Sequence, residues 1–206
     1  ADGPIIQEAS AYALKHHISL ASVFSLTKHL RTKLEAPLLM MGYYNPILKQ
    51  GLDNFSKNAN QCGLDGIIIP DLPIEESSDL KKCLSQQGIH LINFVAPTTD
   101  SSRVKKIAAA SKGFIYYVSL TGVTGARAKL ATDIATHVRF LKKISKVPVC
   151  VGFGVSTRAQ LALLSRSCDG VIVGSAIIKK IKENIGRKNL VPVIASFVRS
   201  LIPKNV

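Results

Sequence analysis

A rhythm of short apolar runs constrains this chain more than any other feature. Six runs rich in β-branched and aromatic residues recur along it: PLLMMGYYN (37–45), GIIIPD (66–71), LINFVAP (91–97), FIYYVSL (114–120), VPVCVGFG (147–154) and GVIVGSA (170–176). Hydrophobicity that is nearly continuous through a run predicts strands covered on both faces, as in a parallel sheet. Helical periodicity fills the gaps. ATDIATHVRFLKKIS sets Ile134, Val138, Leu141 and Ile144 on one face, and EESSDLKKCL brings Leu80, Cys83 and Leu84 together. Strand–helix alternation of this kind leaves two architectures, a doubly wound open sheet or a (β/α)8 barrel. With no linker, low-complexity tract or internal boundary, residues 1–206 read as one domain, long enough to bury a real core.

Composition narrows the function. A net charge of +14 suits nucleic acid, an anionic surface or an anionic substrate. The basic residues are spread along helical segments, as at Lys105, Lys106, Lys142, Lys143, Lys179 and Lys180, with no aromatic-interleaved basic block. A solvated basic exterior is the expectation, with no nucleic-acid partner. No apolar run approaches the roughly 20 residues of a membrane span, and no signal peptide opens the chain. Cys62, Cys83, Cys150 and Cys168 stand apart among apolar neighbours, without metal-ligand spacing, which predicts free core thiols in a reducing cytoplasm.

In either architecture chemistry belongs at the C-terminal ends of the strands. Asp65 and Asp169, in the matching LDGIII and CDGVIV openings, fall at the other rim and read as structural turn residues. The strand ends carry Tyr43, Tyr44 and Asn45; Pro70 and Asp71; Thr98 and Thr99; Tyr116 and Tyr117 running into SLTGVTGARAK; Gly152, Phe153 and Gly154; and Gly174 with Ser175. The five histidines are expected in helices or, for His90, just before a strand, which argues against a histidine triad or a metal site. Acid–base work then falls to Asp2, Asp71 or a tyrosine. Gly152 and Gly154 end one strand, and Gly174 and Ser175 end the next and open a helix. Either pair alone could merely shape a tight turn. Two pairs on consecutive strand ends, one at a helix N-terminus, predict a phosphate cradle.

The segments ADGPIIQEAS, LLMMGYYNPIL, GIIIPDLPIEES, YYVSLTGVTGAR, VGFGVS and VIVGSAIIK, in this order, resemble the alpha subunit of tryptophan synthase over essentially the whole length. The resemblance implies a (β/α)8 TIM barrel and a lyase without metal or organic cofactor. Its reaction is the retro-aldol cleavage of indole-3-glycerol phosphate to indole and glyceraldehyde 3-phosphate, in tryptophan biosynthesis. By the same resemblance Asp2 is the catalytic aspartate that accepts the indole N–H and stabilises the charge formed when C3 is protonated. Local sequence alone makes Asp2 a turn or N-cap residue before a helix begun by Pro4. Thr124 matches the threonine of the loop that closes over the substrate. Gly125, Gly154, Gly174 and Ser175 match the phosphate-binding positions, and Tyr43, Ile68, Tyr116 and Phe153 the indole-pocket lining. Core packing is the competing role for Tyr116. PDLPIEES resembles the segment that meets the beta subunit in an alpha2beta2 tetramer, which makes Asp71 an interface residue.

The family's acid–base glutamate lies on a strand just before ADGP, where this sequence begins, and six runs are present where a barrel needs eight. The expectation is a domain incomplete at its N-terminus, with only strands 3–8 represented, that does not catalyse by itself. The other readings are a non-catalytic, ligand-binding partner that activates a beta subunit, another phosphate-binding barrel enzyme, and a basic nucleic-acid binder.

Overall fold

The structure is a computed structural model that describes residues 2–118, 127–152 and 154–202, and only the backbone of 127–133. Helices and short strands alternate as the apolar runs require. Helices α1 (Pro4–Lys15) and α2 (Leu20–Arg31) lead into β1 (Leu39–Met41). Then come α3 (Tyr44–Gln50), α4 (Leu52–Gln61), β2 (Gly66–Ile68), a 3-10 turn (Ile74–Glu76), α5 (Ser78–Gln86), β3 (His90–Val95) and α6 (Ser101–Ala110). After them follow β4 (Ile115–Val118), α7 (Arg127–Ile144), β5 (Val149–Gly152), α8 (Arg158–Leu164), β6 (Gly170–Ile172), α9 (Ser175–Lys182) and α10 (Leu190–Leu201). The described residues fall into two compact units. The first takes residues 11–93 and 111–113, the second 2–10, 94–110 and the chain from 114 onward.

In the first unit β1, β2 and β3 run parallel in chain order, with Met40 beside Ile67 and Ile67 beside Leu91. All three residues of β2 are buried, as a strand covered on both faces should be. Phe55 and Ala59 of α4, Leu80 and Leu84 of α5, and Ile67 reach zero exposure in one apolar cluster, with Phe24 of α2 against Phe55 at 5.8 Å between ring centres.

In the second unit β4, β5 and β6 are also parallel, but burial alternates along β4 and β5, and β6 is half-buried throughout. Ile115, Tyr117, Val149 and Val151 are almost wholly buried on the side facing the helices, where α7 contributes Ile134, Val138 and Leu141. The Tyr117 hydroxyl meets His137 Nδ1 of α7 at 3.2 Å. Tyr116, Val118, Cys150 and Gly152, on the other face, are only half-buried. The expectation of two covered faces is therefore corrected for β4 and β5. Their apolar composition serves two faces, of which the helices among the described residues cover one.

The strands are also shorter than the apolar runs. PLLMMGYYN yields only Leu39–Met41, because the Asp71 carboxylate accepts the Tyr44 N–H at 3.0 and 3.2 Å and so starts α3 there. Asp65 and Asp169 are structural, as read, through one repeated contact. Each precedes a strand and bonds the start of the strand before it, at Leu38 just ahead of β1 and at Val149, the first residue of β5. Asp65 Oδ2 accepts the Leu38 N–H at 2.7 Å, and the Asp65 N–H donates to Leu38 O at 2.9 Å. Asp169 Oδ2 accepts the Val149 N–H at 2.8 Å, and the Asp169 N–H donates to Val149 O at 2.9 Å. A cation from the helix before that strand completes each pair: Arg31 of α2 on Asp65, and Lys142 of α7 on Asp169 at 2.6 Å.

Asp169→Ala leaves the amide of fully buried Val149 without its acceptor. The expected cost is about 1–3 kcal/mol, read as a lower urea midpoint. Partial burial raises the Asp169 pKa, but Lys142 and the Val149 N–H outweigh it, and the carboxyl ends below its ordinary value. A depressed folded pKa gives stability that is present above the unfolded value and lost as pH falls through the folded one. The difference between wild type and Asp169→Ala should therefore shrink as the solution is taken into that acid range.

Candidate functional site

Tyr116, Gly152, Gly154, Gly174 and Ser175 lie on or just beyond β4, β5 and β6 in the second unit. Tyr116 lies beside Cys150, and Val118 beside Gly152. The Tyr116 ring leans along its strand toward Gly152, the diagonal neighbour on the same face. A Cβ at Gly152 would lie 2.3 Å from one Tyr116 ring carbon and 2.4 Å from its hydroxyl, so the ring occupies the space that a side chain there would need. Phe94 of β3 stacks on Tyr116 with ring centres 5.0 Å apart and planes 29° from parallel. The result is an aromatic platform over bare backbone. Burial pushes the Tyr116 phenol above its ordinary pKa. Gly152→Ala drives a methyl into this platform. Overpacking of that kind costs typically about 1–3 kcal/mol. Thermal unfolding should show the loss, and Tyr116→Leu in the same chain should recover most of it.

The two remaining glycines differ in what they require. Gly154 has φ +47°, the left-handed conformation that favours glycine. Gly174 has neither a positive φ nor any atom within 4 Å of an added Cβ. It is the residue before α9, and its carbonyl accepts from Ile177 N at 2.9 Å and Ile178 N at 3.1 Å.

The two adjacent helix starts contrast sharply. On α8, Thr157 Oγ1 accepts the Gln160 N–H at 3.3 Å, while Gln160 Oε1 accepts the N–H groups of Ser156 at 2.9 Å and Thr157 at 3.2 Å. That end satisfies its own donors. On α9 the capping position is a glycine, no side chain caps the first turn, and the turn carries no acid. N–H groups that no side chain caps, with the helix dipole behind them and next to Ser175, suit an anion.

Asp2 stands just outside α1. The first helical amides, of Ile6 and Gln7, donate to Gly3 O at 3.0 Å, so the capping residue is Gly3 and not Asp2. The turn reading of Asp2 holds, as does Pro4 as first helical residue, and the N-cap reading is corrected. Gln7 Nε2 donates back to the Asp2 carbonyl at 2.8 Å, which accounts for the spacing from Asp2 to Gln7 in ADGPIIQ. The turn holds Asp2 by its main chain.

In the first unit the β1 and β2 ends meet, with Gly42 N donating to Ile68 O at 3.1 Å. Tyr43 follows Gly42 as the residue before α3 and is 43 % exposed. Ile68 is buried at the end of β2. Asp71 is exposed, with its carboxylate on the Tyr44 amide. Thr124, Gly125 and Phe153 lie outside the described residues.

Several site features escaped the sequence reading. Phe94 completes the platform, and its place inside the third apolar run conceals it in the sequence. Asp100, in the loop after β3, is a further carboxylate near a strand end. It accepts the N–H groups of Ser102 at 2.9 Å and Arg103 at 3.0 Å, and the Ser102 hydroxyl first among its contacts holds its pKa below the ordinary value. It is a helix cap. The histidines differ in detail from expectation: His90 opens β3, and His16 and His17 lie in the turn after α1. Among the described residues no cluster of His, Cys, Asp and Glu could hold a metal ion, and no helix is long and apolar enough to cross a membrane. The four cysteines are free, and burial pushes the Cys150 thiol up to about 11, far from a neutral-pH nucleophile.

These features define a class first: a parallel α/β chain with an uncapped helix start and an aromatic pair on neighbouring strand ends. The comparisons supply the particular family. The family model described as tryptophan synthase alpha chain matches residues 1–198. The tryptophan synthase alpha chain of Geobacter sulfurreducens is 42 % identical over 201 residues, 98 % of this chain and 76 % of that one. That of Carboxydothermus hydrogenoformans is 42 % identical over 205 residues, 98 % of this chain and 77 % of that one. The crystal structure of the tryptophan synthase alpha chain from Legionella pneumophila superposes with a TM-score of 0.88 at 33 % identity, covering 98 % of this chain and 75 % of that one. A chain of the tryptophan synthase a2b2 complex from Pyrococcus furiosus does so with a TM-score of 0.88 at 38 % identity, covering 98 % and 81 %. The chain belongs to the tryptophan synthase alpha chain family, whose place is in tryptophan biosynthesis.

Proposed function

We propose that this chain serves the alpha reaction, the retro-aldol cleavage of indole-3-glycerol phosphate into indole and glyceraldehyde 3-phosphate. The observation that carries the reading is the uncapped start of α9 at Gly174 and Ser175, beside a strand end where Gly154 turns the chain with φ +47°. Phosphate is the anion this geometry suits. Tyr116 with Phe94 is the apolar wall an indole needs, and Tyr43, Ile68 and Phe153 are assigned to the same ring by resemblance. Thr124 and Gly125 are assigned likewise to loop closure and phosphate binding.

In the reaction the C3–side-chain bond breaks, a proton arrives at indole C3 and a base takes the proton of the glyceryl hydroxyl. Asp2 is the group we assign to the positive charge that appears on the indole when C3 gains its proton, through a hydrogen bond from the ring N–H. Opposing a developing charge with a fixed one is a large term in catalysis. One carboxylate cannot also move both protons, since a general acid or base must lie within hydrogen-bond reach of each. Asp71 and Asp100 are committed to helix starts. A polypeptide confined to residues 1–206 is therefore expected to release no indole above background, and its role would then be the second reading, a ligand-binding partner that activates a beta subunit.

The resemblance also makes the six strands strands 3–8 of a (β/α)8 barrel in the cytoplasm, working without a cofactor. The partner is a tryptophan synthase beta subunit, in an alpha2beta2 tetramer, with PDLPIEES at the contact. The a2b2 complex among the structural relatives supports this. Sedimentation of the protein its gene encodes, mixed with its own beta subunit at micromolar concentration and with glycerol phosphate, should show a species heavier than either. Two unchanged boundaries would count against the partner.

A further inference from the structure

We infer that the helix-covered side of the second unit holds a binding site for a small amphipathic anion, an alkyl or aryl carboxylate. A cavity of about 380 Å³ opens between α7, α8 and the turn before β6. Its depth is apolar, formed by Ile134, Val138, Val151 and Leu164, all buried. At Arg139, Arg166 and Ser167 it joins a second cavity of about 540 Å³, lined further by Thr136, Phe140, Lys142 and Lys143. The first volume is within the roughly 300–1,000 Å³ of ligand pockets, which fits a small molecule.

Charge selects the ligand. Every charged residue lining the two cavities is a cation. Asp169 engages Lys142 at 2.6 Å, but among the described residues no carboxylate forms an ion pair with Arg139, Arg166 or Lys143. The Arg139 Nε donates to Ala135 O at 3.1 Å, which anchors the side chain along its own helix. Leu163 at 50 % and Phe140 at 41 % exposure flank these cations, leaving apolar surface in water that a ligand's hydrocarbon would cover. An apolar body in the cavity and a carboxylate on the guanidinium groups satisfies both features, and arginine suits a carboxylate through paired N–H donors.

The site is independent of the proposed alpha reaction. Val151 faces it from the buried face of β5, whereas Gly152 and Tyr116 lie on the opposite face of the same sheet.

Calorimetric titration of the protein its gene encodes with octanoate tests the assignment. Saturable one-site binding is expected, with octanol and acetate each at least tenfold weaker. Arg139→Gln with Arg166→Gln should weaken octanoate at least tenfold while leaving glycerol phosphate binding unchanged, and Arg166→Glu should weaken it further than Arg166→Gln. Glycerol phosphate should not displace octanoate. No saturable binding, equal binding of octanol, unchanged affinity in the arginine variants, or displacement by glycerol phosphate would each overturn it.

Discussion

Asp2→Asn, in the protein its gene encodes and with its beta subunit present, should lower turnover of indole-3-glycerol phosphate by at least about 10²-fold, the scale for losing one electrostatic partner of a transition state. The substitution keeps the shape and removes the charge. The fold should tolerate it, because asparagine is isosteric with aspartate and leaves in place the bonds from Gln7 Nε2 to the Asp2 carbonyl and from the Ile6 and Gln7 amides to Gly3 O. An unchanged thermal midpoint beside a collapsed kcat is thus expected. KM should move little, since the charge matters most once C3 is protonated. Full activity of the variant would remove Asp2 from the mechanism.

The second large effect is on phosphate. Ser175→Asp puts a carboxylate at the first residue of α9, where no side chain caps the first amides. It both repels the anion and takes over the donors that would bind it. Gly154→Val meets a different obstacle, a β-branched residue at φ +47° on the neighbouring strand end. A ligand that binds only the folded state stabilises by RT ln(1 + [L]/Kd), so at 100 times Kd wild type gains about 2.7 kcal/mol from glycerol phosphate. Both variants should lose most of that gain in a thermal shift assay. Protection equal to wild type in both would put the anion elsewhere.

The alternation of apolar runs and helical segments was legible because covered strands and amphipathic helices leave opposite patterns. Run length was a poor guide to strand length. Tyr43 and Tyr44 have the aromatic character of a strand, yet the Asp71 carboxylate on the Tyr44 amide makes the chain turn into α3. That contact links residues 27 apart and has no local pattern. Asp65 and Asp169 could be read as turn residues from their matching contexts, while their partners, Leu38 and Val149, follow only from strand register. The same holds for Gly152. The sequence shows a glycine where a strand ends, and only the neighbouring strand supplies the Tyr116 ring that requires it. Gly174 is the opposite case: its φ is negative and no atom lies within 4 Å of an added Cβ, so the fold around it does not explain the glycine.

The most direct measurement is product stoichiometry. Protein expressed from its gene, given indole-3-glycerol phosphate without added metal or cofactor, should release indole and glyceraldehyde 3-phosphate in equal amounts, faster with the beta subunit present. Substrate left intact under those conditions, or consumed without indole, would contradict the account.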